Sequence, residues 1–357
     1  MSDVAANALE RDSIKAVDAA NLVDDILAMP DHIDDALWRA ESAMLPPTES
    51  QGLIVCGMGG SAVGSDLAAA ALGSRLNKPL HVVRGYDLPS WVTSESAVLI
   101  SSYSGGTEET LSCYEQATAR GCKIFVTSSG GRVSELAHAA GQPVIGLPGI
   151  FQPRAAVAYG VVATVEVSIA AGIVDSDVRS ELAASAATLR ESVASWGPDA
   201  AGDALPKRLA REAYGRVAVI YGAGLTAPIA YRWRCQINEN AKVPAADYVL
   251  PEANHNEICA WDGAGEIVDQ TAWFLRDSDQ NERERRRIEL TAEIASAHGA
   301  KAEVIDTIGT SRFDRLFAAI MLGDLMSLYL AVLRGVDPSP VPVIEGLKDS
   351  LGRPAES

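Results

Sequence analysis

The sequence predicts an α/β fold built from two mainly parallel sheets, each flanked by helices. Short apolar runs alternate with helical stretches along most of the chain, which is the pattern of buried parallel strands with helices on both faces. A glycine-rich turn follows the first apolar run of each half, at 57–60 and at 222–224. The 357 residues are 48% hydrophobic, enough for two globular cores.

Composition and charge exclude several classes of function. The net charge of −17 argues against nucleic-acid or anionic-membrane partners. No apolar run is expected to span a membrane, which takes roughly 20 residues. Residues 1–11 lack the pattern of a secretory signal. The five cysteines are scattered without a C-x-x-C pair, which predicts a reduced, cytoplasmic protein with no cysteine metal site.

Four segments are predicted in chain order. Residues 1–48 are an N-terminal helical segment that ends at Pro46-Pro47. Residues 49–152 form the first α/β unit, whose strands are predicted at 53–56, 80–83, 98–100, 123–126 and 143–147. A helical connector covers 153–200. Residues 201–357 form the second unit with C-terminal helices, and its strands are predicted at 217–221, 266–268, 273–275 and 303–305.

Two turns rich in glycine and hydroxyl groups lie between a predicted strand and a predicted helix. They are Gly57-Met58-Gly59-Gly60-Ser61 and Ser101-Ser102-Tyr103-Ser104-Gly105-Gly106-Thr107. The first N–H groups of a helix have no internal partner and carry the positive end of its dipole, so an anion binds there readily. The order G-x-G-G-S lacks the G-x-G-x-x-G spacing of dinucleotide sites.

One such turn alone would fit an ordinary helix cap by Ser104 or Thr107 equally well. Two turns that can face each other at the carboxyl ends of strands favour a site for a single phosphate group. The predicted phosphate-binding residues are Gly59, Gly60, Ser61, Ser102, Ser104 and Thr107.

Together with later segments, these turns resemble the bifunctional phosphoglucose/phosphomannose isomerases, a branch of the sugar isomerase (SIS) domain family. The family has Asn where this chain has Gly106, and otherwise the same second turn. The later segments are Pro153-Arg154-Ala155, Asn238-Glu239-Asn240, Asn254-His255-Asn256-Glu257 and Gly346-Leu347-Lys348. The resemblance covers the chain from roughly residue 25 onward and implies two SIS-like subdomains.

The resemblance implies an aldose–ketose isomerase that interconverts fructose 6-phosphate with glucose 6-phosphate, mannose 6-phosphate or both through a cis-enediolate. Glu239 would be the base, Arg154 would stabilise the enediolate, and His255, assisted by Lys348, would open the sugar ring. Neither a metal nor a cofactor is implied. A homodimer with shared active sites is also implied, in which His255 reaches the partner's site. Ser339 is the nearest candidate for a C-terminal hydroxyl linked to the mannose epimer.

Two other functions are compatible with an SIS fold, because a fold alone does not determine function. A non-catalytic phosphosugar sensor is the main alternative, although the acidic N-terminal segment does not look like a DNA-binding module. An amidotransferase synthase is disfavoured, because Met1-Ser2 offers no N-terminal cysteine nucleophile.

Overall fold

The computed structural model describes residues 9–351 and confirms two separate sheets, both wholly parallel and flanked by helices. Predictions that fall on residues 1–8 or 352–357 lie outside the described part of the chain. The chain begins with three helices, which are α1 (Arg11–Val17), α2 (Leu22–Leu27) and α3 (Met29–Ser42). The division into four segments at 48, 152 and 200 stays a prediction, because helices of every segment share one apolar cluster.

The first sheet has five strands in the order β2-β1-β3-β4-β5. They are β1 (Leu53–Gly57), β2 (Leu80–Val83), β3 (Ala97–Ser101), β4 (Lys123–Ser128) and β5 (Val144–Gly146). The helices between them are α4 (Gly59–Leu72), α5 (Glu108–Ala119) and α6 (Gly131–Ala139). Successive β1 side chains pack into apolar clusters on opposite faces, which explains why the whole strand is apolar. The strand order changes direction between β1 and β3. Open α/β sheets bind ligands at such a switch point.

The second sheet has four strands in the order β7-β6-β8-β9. They are β6 (Val217–Gly222), β7 (Ala245–Val249), β8 (Gln270–Arg276) and β9 (Lys301–Asp306). The remaining helices are α7 (Val157–Ala170), α8 (Val178–Trp196), α9 (Leu205–Ala213), α10 (Ala227–Gln236), α11 (Trp261–Ile267), α12 (Glu282–Ala297), α13 (Arg312–Arg334) and α14 (Pro342–Leu351).

The strand predicted at 266–268 is wrong. Ile267 ends α11, and it and Val268 are apolar residues exposed to solvent. The strand that the sequence pattern missed is β7, an edge strand whose side chains are only partly buried. Because an edge strand faces solvent, its sequence Ala-Ala-Asp-Tyr-Val has no continuous apolar run.

Helix α13 also departs from expectation, because its length and composition would suit a membrane span. However, 94% of its most apolar window is buried inside the protein. It packs against α8, α9 and α10, so its apolar surface is that of a core helix. Within that surface it buries an acidic residue, Asp324, which therefore needs partners from a neighbouring element.

Helices α4 and α7 approach each other closely through Gly64 and Gly160. A Cβ atom on Gly64 would lie 2.9 Å from the Gly160 Cα, which is a steric clash. Because the clash is with backbone, rotation of a side chain cannot remove it. Beside this contact, the hydroxyls of Ser65 and Thr164 share a buried hydrogen bond of 2.9 Å. The close approach brings the N-termini of the two helices together, and both N-termini border the predicted site.

Gly64→Ala is therefore expected to destabilise the fold by about 1–3 kcal/mol, because the added methyl overpacks a backbone contact. Chemical denaturation measures the change. Gly346→Ala is the matched control, since Gly346 lies in the exposed helix α14 with open space around it. That control is expected to be neutral or slightly stabilising. Equal stability of Gly64→Ala and the parent protein would contradict the close packing of α4 on α7.

Candidate active site

The two predicted phosphate turns lie side by side at the carboxyl ends of β1 and β3. Their strands are neighbours, with Gly57 opposite Ser101. The backbone N–H of Tyr103 donates to Ser61 Oγ over 3.3 Å, and Ser101 Oγ donates to the Ser61 carbonyl over 3.4 Å. No N-cap side chain of the described chain bonds to the first turn of α4 or of α5. Two uncapped helix N-termini therefore converge on one crevice, as an anion site requires.

The hydroxyls of the second turn are held by one another rather than by the helix. Ser102 Oγ donates to Thr107 Oγ1 over 3.1 Å, so Thr107 occupies the N-cap position of α5 without capping it. Ser104 is exposed, and its Oγ accepts the N–H of Gly106 at 3.4 Å. Gly105 has a φ of 68°, and a Cβ there would meet the Gly130 carbonyl at 1.8 Å. Glycine at 105 is therefore required for the shape of the turn.

The segment between β5 and α7 closes one side of this crevice. The Tyr103 hydroxyl donates to the Pro148 carbonyl over 2.6 Å and accepts the N–H of Phe151 over 3.0 Å. A Cβ on Gly60 would lie 3.2 Å from the Pro153 carbonyl, so the first turn touches the backbone beside Arg154. These contacts place the phosphate turns next to Arg154.

Arg154 is buried, and two of its guanidinium nitrogens are engaged by the protein. Its Nε donates to Asn240 Oδ1 over 2.7 Å, and its Nη2 donates to the carbonyls of Pro338 and Ser339 over 2.7 and 3.0 Å. Nη1 makes no hydrogen bond to the described residues and lies 3.8 Å from Glu239 Oε2. Burial lowers the pKa of Arg154, and the nearby Glu239 carboxylate opposes that change. Nη1 is thus available to an oxygen placed beside Glu239.

Glu239 lies in a short π-helical segment, Ile237–Ala241, which follows α10 directly. Such segments recur at functional sites, because the wider turn redirects side chains. About a third of the Glu239 side chain is exposed, while its neighbour Asn240 is fully buried. The carboxylate therefore faces the crevice between the two halves of the chain.

A polar network in the apolar core holds these groups in place. The residues on the α10 side, at four-residue steps, are Arg232, Gln236 and Asn240, and those on α13 are Asp324 and Ser327. Arg232 forms two hydrogen bonds with Asp324, of 2.6 and 3.0 Å, and Gln236 Nε2 donates to the same carboxylate over 2.9 Å. Asn240 Nδ2 donates to Ser327 Oγ over 2.9 Å. Arg232 also donates to the Arg154 carbonyl over 2.9 Å.

His255 and Lys348 stay apart from this cluster within one chain. His255 ends a 3-10 turn (Glu252–His255) after β7 and is exposed. Lys348 lies on α14, whose described side chains are all exposed. Among residues 9–351, no hydrogen bond or ion pair joins either residue to Arg154 or Glu239. Ser339 does border the cluster, and its buried Oγ has no hydrogen-bond partner in the described chain.

The equivalent crevice of the second sheet is filled by the protein's own side chains. Between the ends of β6 and β8, Gln280 Nε2 donates to the Ala223 carbonyl over 3.0 Å. The buried Asp277 carboxylate pairs there with Arg315 over 2.7 Å. These side chains occupy the place where an anion would bind, so of the two sheets described here it is the first that leaves this crevice open.

Comparison with known proteins identifies the family. Residues 203–351 match the model of the bacterial phospho-glucose isomerase C-terminal SIS domain. The bifunctional phosphoglucose/phosphomannose isomerase of Caldicellulosiruptor bescii is 35% identical over 341 residues, which span 92% of this chain and 98% of that protein. That of Aquifex aeolicus is 36% identical over 86% of this chain and 92% of its own. This chain belongs to the family of bifunctional phosphoglucose/phosphomannose isomerases.

Solved structures support the same fold at lower sequence similarity. A hypothetical protein from Thermus thermophilus superposes with a TM-score of 0.76 at 14% identity, covering 98% of this chain and 94% of that one. Gly106, where the family has Asn, lies beside open space. Apart from its two chain neighbours, no described residue has an atom within 4 Å of a Cβ added there, so the turn has room for a side chain.

Several residues of this candidate site were not predicted from the sequence. They are Asn240, Lys242, Arg232, Gln236, Asp324 and Ser327. Two signals could have found the network, namely polar residues at four-residue steps through α10 and a lone aspartate inside the apolar run of α13. Lys242 gives no such signal, because it reaches the site only through its Nζ, which donates to the carbonyl of the distant Pro338 over 3.1 Å.

Ser104→Ala is expected to weaken binding of inorganic phosphate about 10- to 150-fold, because a hydrogen bond to a charged group contributes roughly 1.5–3 kcal/mol. Ser104 is exposed, so thermal stability should not change. Isothermal titration calorimetry measures the affinity. The control Ser350→Ala removes an exposed hydroxyl from α14 and should bind as the parent does. Unchanged affinity in Ser104→Ala would contradict the placement of phosphate at these turns.

Proposed function

We propose that this protein interconverts fructose 6-phosphate with glucose 6-phosphate and mannose 6-phosphate through a cis-enediolate, without a metal or cofactor. The observation that carries the proposal is the position of Arg154 Nη1, which faces the Glu239 carboxylate beside two uncapped helix N-termini. A base and a cation next to a phosphate site are the parts that proton transfer between C1 and C2 requires.

The substrate's phosphate would bind at the turns through Ser61, Ser102, Ser104 and Thr107 with the N–H groups of Gly59 and Gly60. The sugar would then extend toward Arg154. Glu239 would carry the proton between C1 and C2, and Arg154 Nη1 would donate to the enediolate oxygens. Because Arg154 is buried and held at Nε and Nη2, it would stabilise that charge without reorganising.

Glu239→Gln is expected to lower kcat by at least about 10²–10⁴-fold, because it removes the base while keeping the size of the side chain. Inorganic phosphate should still bind with nearly parental affinity, since the turns are unchanged. The assay follows glucose 6-phosphate and mannose 6-phosphate separately from fructose 6-phosphate, with and without a chelator. Glu135→Gln is the control, an exposed carboxylate on α6.

Two results would overturn this assignment. In deuterated water, Glu239→Gln should fail to introduce label at C1 or C2, so label at the parental rate would exclude Glu239 as the base. Loss of activity with the chelator would exclude a metal-independent reaction. A parent protein that binds sugar phosphate and never converts it would favour the non-catalytic sensor instead.

We further propose a homodimer in which His255 and Lys348 complete the partner's site. Both residues are exposed in the single chain, as residues that serve a second chain would be. Lys348 lies on α14, which also exposes Val343, Leu347 and Leu351 at four-residue steps. An exposed apolar stripe on a helix is the usual mark of a protein contact. A separate proposal concerns location. All five cysteines are free thiols, and because free thiols persist in a reducing compartment, this supports the proposed cytoplasmic location.

Mixing Glu239→Gln chains with His255→Ala chains tests this sharing. If His255 serves the partner's site, a mixed dimer contains one site that lacks both groups and one that lacks neither. Activity should then rise from near zero to about a quarter of the parent value after chain exchange. Mass spectrometry establishes that mixed dimers form. Proven mixed dimers without recovered activity would show that each chain uses its own His255.

A further inference from the structure

Two cationic side chains from different parts of the chain, Arg154 and Lys242, donate to the same carbonyl oxygen at the edge of the site. Pro338 O accepts Arg154 Nη2 over 2.7 Å and Lys242 Nζ over 3.1 Å. Lys242 Nζ also donates to the carbonyl of Glu239, the proposed base. Lys242 has a φ of 56°, the left-handed region that non-glycine residues rarely adopt. The chain therefore accepts an unfavourable conformation where it brings this ammonium to Pro338.

We propose that Lys242 is a further positioning residue of this site, which holds the 335–341 segment against Arg154 and Glu239. This segment links α13 to α14 and contains Ser339, whose carbonyl is also bound to Arg154. Because Arg154 bonds to two carbonyls of the segment, movement of the segment would release Nη2 and turn Nη1 away from Glu239. Lys242 opposes that movement by bonding the same carbonyl from the Glu239 side.

The charges around Lys242 fit this arrangement. Arg154 faces it from the segment before α7, Asp337 from the 335–341 segment and Glu239 from its own π-helical segment. Arg334, at the end of α13, donates to the Ala241 carbonyl on the other side. Burial lowers the pKa of Lys242, and the positive charge of Arg154 lowers it further. The carboxylates of Asp337 and Glu239 act in the opposite direction. The ammonium therefore loses its proton at a lower pH than an ordinary lysine does.

Amide hydrogen exchange of residues 335–341 tests the positioning directly and needs no substrate. Lys242→Met should exchange about tenfold faster there than the parent, because one of the bonds that hold the Pro338 carbonyl is lost. Lys242→Arg keeps the charge and should exchange nearly as the parent does. The control Lys301→Met removes an equal charge that pairs with Glu212 at the second sheet, and should leave this segment unchanged.

The kinetic part of the inference rests on the proposed isomerase function. Lys242→Met should lower kcat about tenfold with little change in KM, as expected when the orientation of a transition-state group is lost. In the parent, activity should fall as pH rises and Lys242 loses its proton, and Lys242→Arg should move that fall to higher pH because a guanidinium stays charged. A purely structural role would leave that pH dependence unchanged.

The outcomes separate the two proposals. Parental exchange at 335–341 in Lys242→Met, or equal acceleration in Lys301→Met, would overturn the role of Lys242 whatever the activity. An inactive parent whose Lys242→Met variant still exchanges faster would overturn the isomerase function while the positioning role stands. A fall in activity at the same pH in the parent and in Lys242→Arg would also contradict the role of Lys242.

Discussion

The site depends on the buried ion pair between Arg232 and Asp324. Both side chains are almost completely inaccessible, at 2% and 1% exposure, inside an otherwise apolar contact between α10 and α13. Burying two charges costs several kcal/mol per ion, and their attraction offsets that cost only when further hydrogen bonds satisfy the charged groups. Here Gln236 and the Arg154 carbonyl add hydrogen bonds to the pair, which favours one register of α10 on α13. The π-helical segment that carries Glu239 follows α10 directly, so this register also positions Glu239.

A second constraint is the close approach of backbone to backbone. Gly64 meets Gly160 between α4 and α7, and Gly60 meets Pro153 at the N-termini of the same helices. Side chains at these positions would separate the phosphate turn from Arg154. The glycines therefore set the distance between the predicted phosphate turns and the Arg154 guanidinium. In the proposed function, that distance has to match a sugar bound at its 6-phosphate.

The two halves of the chain share a topology and differ in what lies at the switch point of each sheet. In the first half the turns present hydroxyls and free helix N-termini, with the anion crevice left open. In the second half Gln280 and Asp277 occupy the corresponding place, and Asp277 is neutralised by Arg315. The second half contributes Glu239, the proposed base, and the network that supports it instead. Under the proposed function, the first sheet would bind the phosphate and the second would carry the base, although both have glycine-rich turns after their first strand.

The sequence by itself determined the fold class and predicted both phosphate turns, because apolar periodicity and glycine-rich turns are local patterns. Arg154 and Glu239 were predicted only through the resemblance of their short segments to the isomerase family. The sequence did not reveal β7, whose half-exposed side chains leave no apolar run, nor the π-helical segment after α10. The network of Arg232, Asp324 and Asn240 and the meeting of Lys242 with Arg154 at Pro338 were decided only by the tertiary structure. Each joins residues more than eighty positions apart, and no local pattern specifies which distant backbone carbonyl a buried cation will meet.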